Sequence, residues 1–115
     1  MIQVYVSKQN FDVQKTLRYF KERRIAVQVM DVARRAPGLR ELETLARALG
    51  GMRALLDTAD KRVLSSPIQF IQGEALLAEE LLAHPGFLVS PIVRNGRVAT
   101  IGYAPEVWKG WLAEM

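Results

Sequence analysis

The chain has 115 residues, half of them apolar, and a net charge of +4, a size suited to one domain with an ordinary core. It contains no cysteine and one histidine, which excludes disulfides, thiol catalysis by this chain and clustered Cys or His metal sites. A positive charge of this size permits an acidic partner without requiring one.

Residues 3–20 read QVYVSKQNFDVQKTLRYF. The opening alternates polar and apolar residues and predicts a strand. Residues 7–10 are polar and turn-prone, and from Phe11 onward Val13, Leu17 and Phe20 recur at helical spacing. A strand feeding a helix through a short loop is a natural anion or thiolate site, because free backbone N–H groups and the helix dipole favour negative charge there. Asn10 occupies the helix start and is a favoured N-cap residue. The basic residues of 21–24 complement the dipole at the other end.

Residues 25–32, IAVQVMDV, predict an apolar strand, and strand–helix–strand predicts a right-handed parallel unit. Arg34, Arg35, Pro37 and Gly38 form a connector, with Pro37 suited to the first turn of the next helix. Leu39, Leu42, Leu45, Ala46 and Leu49 mark one helical face, and Gly50-Gly51 ends it. Met52 to Asp57 predicts a short helix carrying Met52, Leu55 and Leu56. Ser65-Ser66-Pro67 breaks any helix, and Ile68, Phe70 and Ile71 predict a buried turn. Residues 73–83 predict a helix with Leu76, Leu77, Leu81 and Leu82 inward, stopped by His84-Pro85-Gly86. His84 reads as a capping or packing residue.

Residues 87–93 and 97–101 predict two strands, with Asn95-Gly96 as a hairpin turn whose two residues both take φ > 0. Pro105 suits the first turn of a last helix, where Val107, Trp108, Trp111 and Leu112 pack on the sheet. No apolar run approaches the ~20 residues that cross a bilayer. The N-terminus lacks a basic segment followed by a long apolar one. No membrane partner and a cytoplasmic location are therefore expected.

Tyr5, Lys15-Thr16-Leu17, Leu55-Leu56-Asp57-Thr58, His84-Pro85 and Ser90-Pro91-Ile92-Val93 together resemble the arsenate reductase (ArsC) and Spx family. In that family a strand ending in Tyr leads to a loop of the type N-P-x-C-S-K-S-R-K-T-L, or in Spx to C-x-x-C. The resemblance covers nearly the whole chain. It implies an α/β thioredoxin-like fold: a mixed four-stranded sheet, made of a parallel βαβ unit plus a C-terminal antiparallel hairpin, with a helical insertion. It places Asn10 on the nucleophilic Cys, Val13 on the second Cys or Ser, and Lys8 on the usual Pro. Asp57 falls where arsenate reductases carry an oxyanion-holding Arg, and Ser90 where a second Arg often precedes the Pro. Pro91 matches the Pro that is cis in this fold. Arg94 and Arg97 read as solvated flanks, or as an approximation to the family's third basic contact.

Three functions follow. Thiol chemistry of the reductase kind needs a thiolate, which this chain does not have, and Asp12 and Asp57 would repel an oxyanion unless Asp57 is a solvated surface carboxylate. A redox-inactive, Spx-like module would bind RNA polymerase or another protein, and Arg47 and Gly51 fall near the Spx partner surface. A nucleic-acid binder would use Lys21, Arg23, Arg24, Arg34, Arg35 and Arg40 in salt-sensitive contacts, although no aromatic platform is interleaved with them. The binding or regulatory protein is the expected function, with no catalytic residue, no cofactor and no metal.

Overall fold

The computed structural model describes residues 1–115. Its order is β1 (Ile2–Val6), α1 (Phe11–Glu22), β2 (Val27–Asp31), α2 (Leu39–Leu49), a 3-10 turn (Met52–Leu55), α3 (Lys61–Leu64), a 3-10 turn (Pro67–Phe70), α4 (Glu74–Ala83), a 3-10 turn (Pro85–Phe87), β3 (Ile92–Asn95), β4 (Val98–Ile101) and α5 (Pro105–Ala113). The sheet runs β2-β1-β3-β4. β1 pairs β2 in parallel and β3 in antiparallel fashion, and β3 pairs β4 in antiparallel fashion. This is the mixed thioredoxin-like sheet with a helical insertion between β2 and β3. No helix is long and apolar enough to cross a membrane.

The pleat explains why the sheet has two cores. Successive side chains of β1 point to opposite faces. Ile2, Val4 and Val6 lie with Val13 and Phe20 of α1 and Trp108 of α5 in one buried cluster. Tyr5 lies on the other face with Leu42 and Leu45 of α2, Leu77 and Leu81 of α4, and Ile92. Each fully buried aliphatic or aromatic side chain contributes about 1.5–3 kcal/mol. Trp108 is wholly buried, and its indole N–H donates to the Thr100 hydroxyl at 2.9 Å, so burial leaves no orphan donor.

Several local expectations shift. β2 is an edge strand and begins only at Val27, with Val29 about half exposed; it has a partner on one side alone. Pro37 is buried just before the helix, and Gly38 is the N-cap of α2. Leu39, Phe70, Leu76 and Val107 are exposed, against the expectation that they face inward. The turn at Ser65-Ser66-Pro67 is real, with the Ser66 hydroxyl accepting from Ile68 N–H. The hairpin turn is displaced by one residue. Asn95 pairs with Val98, and Gly96 alone among the turn residues has positive φ, at 64°. Gly in the first central position is the other favoured two-residue hairpin. Gly50, at φ 97°, closes α2 in the left-handed conformation, which only glycine adopts without strain.

Candidate functional site

The loop between β1 and α1, residues 7–10, meets residues 88–91 at the C-terminal edge of the sheet. Asn10 ends the loop in extended conformation, and its side-chain oxygen accepts from Val13 N–H at 2.8 Å. The Asn10 amide also donates to the Ser90 carbonyl at 3.0 Å. One side chain thus caps α1 and ties it to the segment before β3. A cysteine sulfur could accept from Val13 N–H, but it has no separate amide donor to hold the Ser90 carbonyl at the same time. The Ser90–Pro91 peptide is cis.

Ser7 and Ser90 complete the closure. The buried Ser7 hydroxyl donates to the Leu88 carbonyl at 2.6 Å. The Ser90 hydroxyl donates to the Lys8 carbonyl at 2.8 Å and accepts from Ser7 N–H at 3.3 Å. The Ser7 N–H and the Lys8 carbonyl are thus bonded to the chain itself.

The electrostatics follow the same direction. Leu56 and Leu88 form a bridge, and Asp57 N–H donates to the Phe87 carbonyl at 2.9 Å, which sets Asp57 beside the loop. The Lys8 ammonium reaches Asp57 at 2.7 Å and Asp60 at 2.9 Å. Arg62 reaches Asp60 at 2.9 Å as well. The Arg62 hydrogen bond first, and the Lys8 bond second, hold the Asp60 carboxyl well below the usual carboxylate range. Asp57 is therefore neither a solvated surface carboxylate nor a free repulsive charge. It is partly buried and paired with Lys8. The position that resembles the family's Pro supplies the cation, and the position that resembles an arginine supplies the anion.

The remaining predicted positions separate. Val13 contributes its backbone N–H to the Asn10 cap, but its side chain is wholly buried among Val4 and Phe20 on the α1 face. Asp12 lies on the first turn of α1, 3.5 Å from Lys15. Arg94 is not a solvated flank. It is half-buried, and its guanidinium donates to the Tyr5 hydroxyl at 3.3 Å and the Gly96 carbonyl at 2.8 Å. The Tyr5 hydroxyl in turn donates to Glu41 at 3.0 Å. Burial raises the Tyr5 pKa, with the Arg94 bond acting against it and the Glu41 bond with it. Arg97 stays in the exposed turn. His84 caps α4 and stacks on Phe87 at 5.2 Å between ring centroids.

Arg47 and Gly51 lie together on a different part of the molecule. Both line a groove of about 930 Å³ between α2 and α4, floored by Met52. Glu74 Oε2 accepts from Met52 N–H at 2.9 Å and joins α4 to the floor. Sequence reasoning missed Ser7, Asp60 and Arg62 at the loop and Glu43 and Glu79 on the groove. The one local signal was Asp60 directly before a basic helical turn, a favoured N-cap that accepts from Arg62 N–H.

No protein-family model and no curated protein sequence matches the chain. Solved structures do. A Yersinia pestis protein provisionally described as an arsenate reductase is 21% identical over 96% of this chain and 99% of its own, with a TM-score of 0.83. An arsenate reductase from Vibrio cholerae is 23% identical over 92% of each chain, with a TM-score of 0.79. An arsenate reductase (ArsC) related protein from Brucella melitensis is 16% identical over 96% of this chain and 93% of its own, with a TM-score of 0.69. At these identities the likeness establishes the fold, which is that of arsenate-reductase-like proteins over 92–96% of the chain.

Proposed function

We propose that this chain is a binding module built on the arsenate-reductase-like fold, with no thiol chemistry of its own and a protein as its ligand. The observation that carries the reading is the state of the residues 7–10 loop. The position that resembles the nucleophile is a cap, Ser7 and Lys8 are bonded to Leu88 and Ser90, and the loop's one cation is held by two carboxylates. An oxyanion would have to displace Asp57 and Asp60 from Lys8 and approach two negative charges. A scaffold kept intact after that closure acts through its surface. Arg47 and Gly51 mark the surface that the Spx resemblance indicates, and RNA polymerase is the partner it names.

The test has two arms. Purified protein is incubated with arsenate, glutathione and a glutaredoxin, and arsenite is measured. No turnover above the protein-free control is expected, and turnover would overturn the reading. Equilibrium binding to purified RNA polymerase is then measured with the native chain and Arg47→Glu. Binding that Arg47→Glu changes at least tenfold supports the transcriptional assignment through this groove. Absence of binding removes RNA polymerase as the partner, and material that comes away with nucleic acid at raised salt favours the basic surface instead.

A further inference from the structure

The groove between α2 and α4 has a composition that sets it apart from the rest of the surface. The chain as a whole carries +4, yet the groove is lined by Glu43, Glu74 and Glu79 against Arg47. The carboxylates in ion pairs elsewhere are Asp12, Asp57, Asp60, Glu80 and Glu106. Glu43 and Glu79 are exposed and have no such partner. Apart from the half-exposed Leu39 at one end, the apolar part of the lining is small or recessed. Ala46, Met52 and Ala78 are buried, Leu82 is half-buried, and Gly50 and Gly51 form one end. At Gly51 φ is 143°, so a side chain that filled the space there would strain the backbone.

The two walls are helices of 11 and 10 residues, each roughly 15 Å long at 1.5 Å per residue. That length matches about ten residues of a third helix, whose own large side chains would enter between the alanines. We infer that this groove receives an amphipathic helix of a partner protein, with an apolar stripe along the floor and lysine or arginine flanks facing Glu43 and Glu79. The inference rests on the reading of the chain as a protein-binding module and specifies the chemistry of what that module takes. Opposite charge supplies the direction of the choice. An acidic or neutral helix would leave the two carboxylates beside unmatched or like charge, and like charges in contact oppose docking.

A defined probe tests this. A fluorescent helical peptide of about twelve residues, with leucines at i, i+4 and i+7 and lysines on both flanks, is titrated with the full chain and read by anisotropy. Three controls accompany it: a scrambled-order peptide, a version with glutamate for lysine, and the double variant Glu43→Lys, Glu79→Lys. Glu74 is left intact because it accepts from Met52 N–H. The Lys peptide is expected to bind, with each control at least tenfold weaker and with binding that falls as salt rises, although the protein is itself cationic. Unchanged circular dichroism and melting of the double variant exclude misfolding as the cause. Equal binding of the Glu peptide, or indifference to the double variant, overturns the inference. So does self-association of the native chain that the double variant abolishes, which would make a second copy the occupant. RNA polymerase binding is measured on the same double variant. Retained polymerase binding with no Lys-peptide binding sinks the groove and leaves the binding module standing. Lys-peptide binding without polymerase binding supports the groove and removes only the polymerase.

Discussion

Two regions of this molecule are treated differently by the sequence. Between residues 7–10 and 88–91, the polar side chains point at the chain itself. Ser7, Ser90, Asn10, Lys8, Asp57 and Asp60 all have partners within the fold. Between α2 and α4, the floor is made of small or recessed apolar groups and the rim carboxylates Glu43 and Glu79 point outward without cations. The first region has become structure. The second keeps unmatched groups at the surface, which is the condition for recognising something else. On the reading proposed above, a fold that resembles an enzyme family would act through the face whose rim charges stay unmatched, while the end that corresponds to the reactive centre holds internal bonds.

The sharpest way to break this contrast is to open the closed cleft. Ser90→Ala removes a hydroxyl that donates to the Lys8 carbonyl and accepts from Ser7 N–H. Leaving these groups unsatisfied costs about 1–3 kcal/mol. Denaturant unfolding should show that loss with the slope unchanged, and an unshifted midpoint would mean that the staple carries no stability. Asn10→Ala comes next, with loss of a cap worth about 0.5–2 kcal/mol, while binding at the α2–α4 groove stays as in the native chain.

Much of the fold was legible because its signals are local. The strand–loop–helix opening, the Asn10 cap, the Gly50-Gly51 stop and Pro105 at the start of α5 each depend on a few adjacent residues. The closure of the cleft was not legible for the opposite reason. Ser7 meets Leu88, Lys8 meets Asp57, and Ser90 meets Lys8 across spans of 81, 49 and 82 positions. No periodicity encodes such pairings. The resemblance directed attention to Ser90 and Asp57 as lost arginines, but only the fold shows what they gained. Leu39 and Val107 are exposed because helical spacing places an apolar residue on a face only approximately, and Phe70 because the turn that carries it buries Ile68 instead. The one-residue shift of the hairpin arose from assigning φ > 0 to Asn95 as well as to Gly96.

A smaller effect sharpens the electrostatic half of the contrast. Asp60 has a folded pKa depressed below its unfolded value near 3.9. Its contribution is complete above about pH 4 and is lost as pH falls toward the lower folded value. Asp60→Asn keeps an acceptor for Arg62 N–H and removes the charge, so the variant should lose stability less steeply than the native chain below pH 4. Parallel acid limbs would contradict the role assigned to the Lys8–Asp60–Arg62 cluster. At the other region, Glu79→Gln should change stability by no more than about 0.5 kcal/mol, since the side chain is exposed and unpaired. A larger loss would show that the groove rim is structural after all.

The most direct measurement follows backbone amide NMR shifts of the native chain during titration first with arsenate and then with the Lys-flanked helical peptide. The account predicts that arsenate leaves residues 7–14 and 88–92 unmoved up to concentrations at which all amides drift together. It predicts that the peptide moves residues along α2, α4 and Met52 in a saturable way. Saturable arsenate shifts centred on Lys8, Asn10 and Ser90 would contradict it, because they would show an open anion site where the structure places an internal staple.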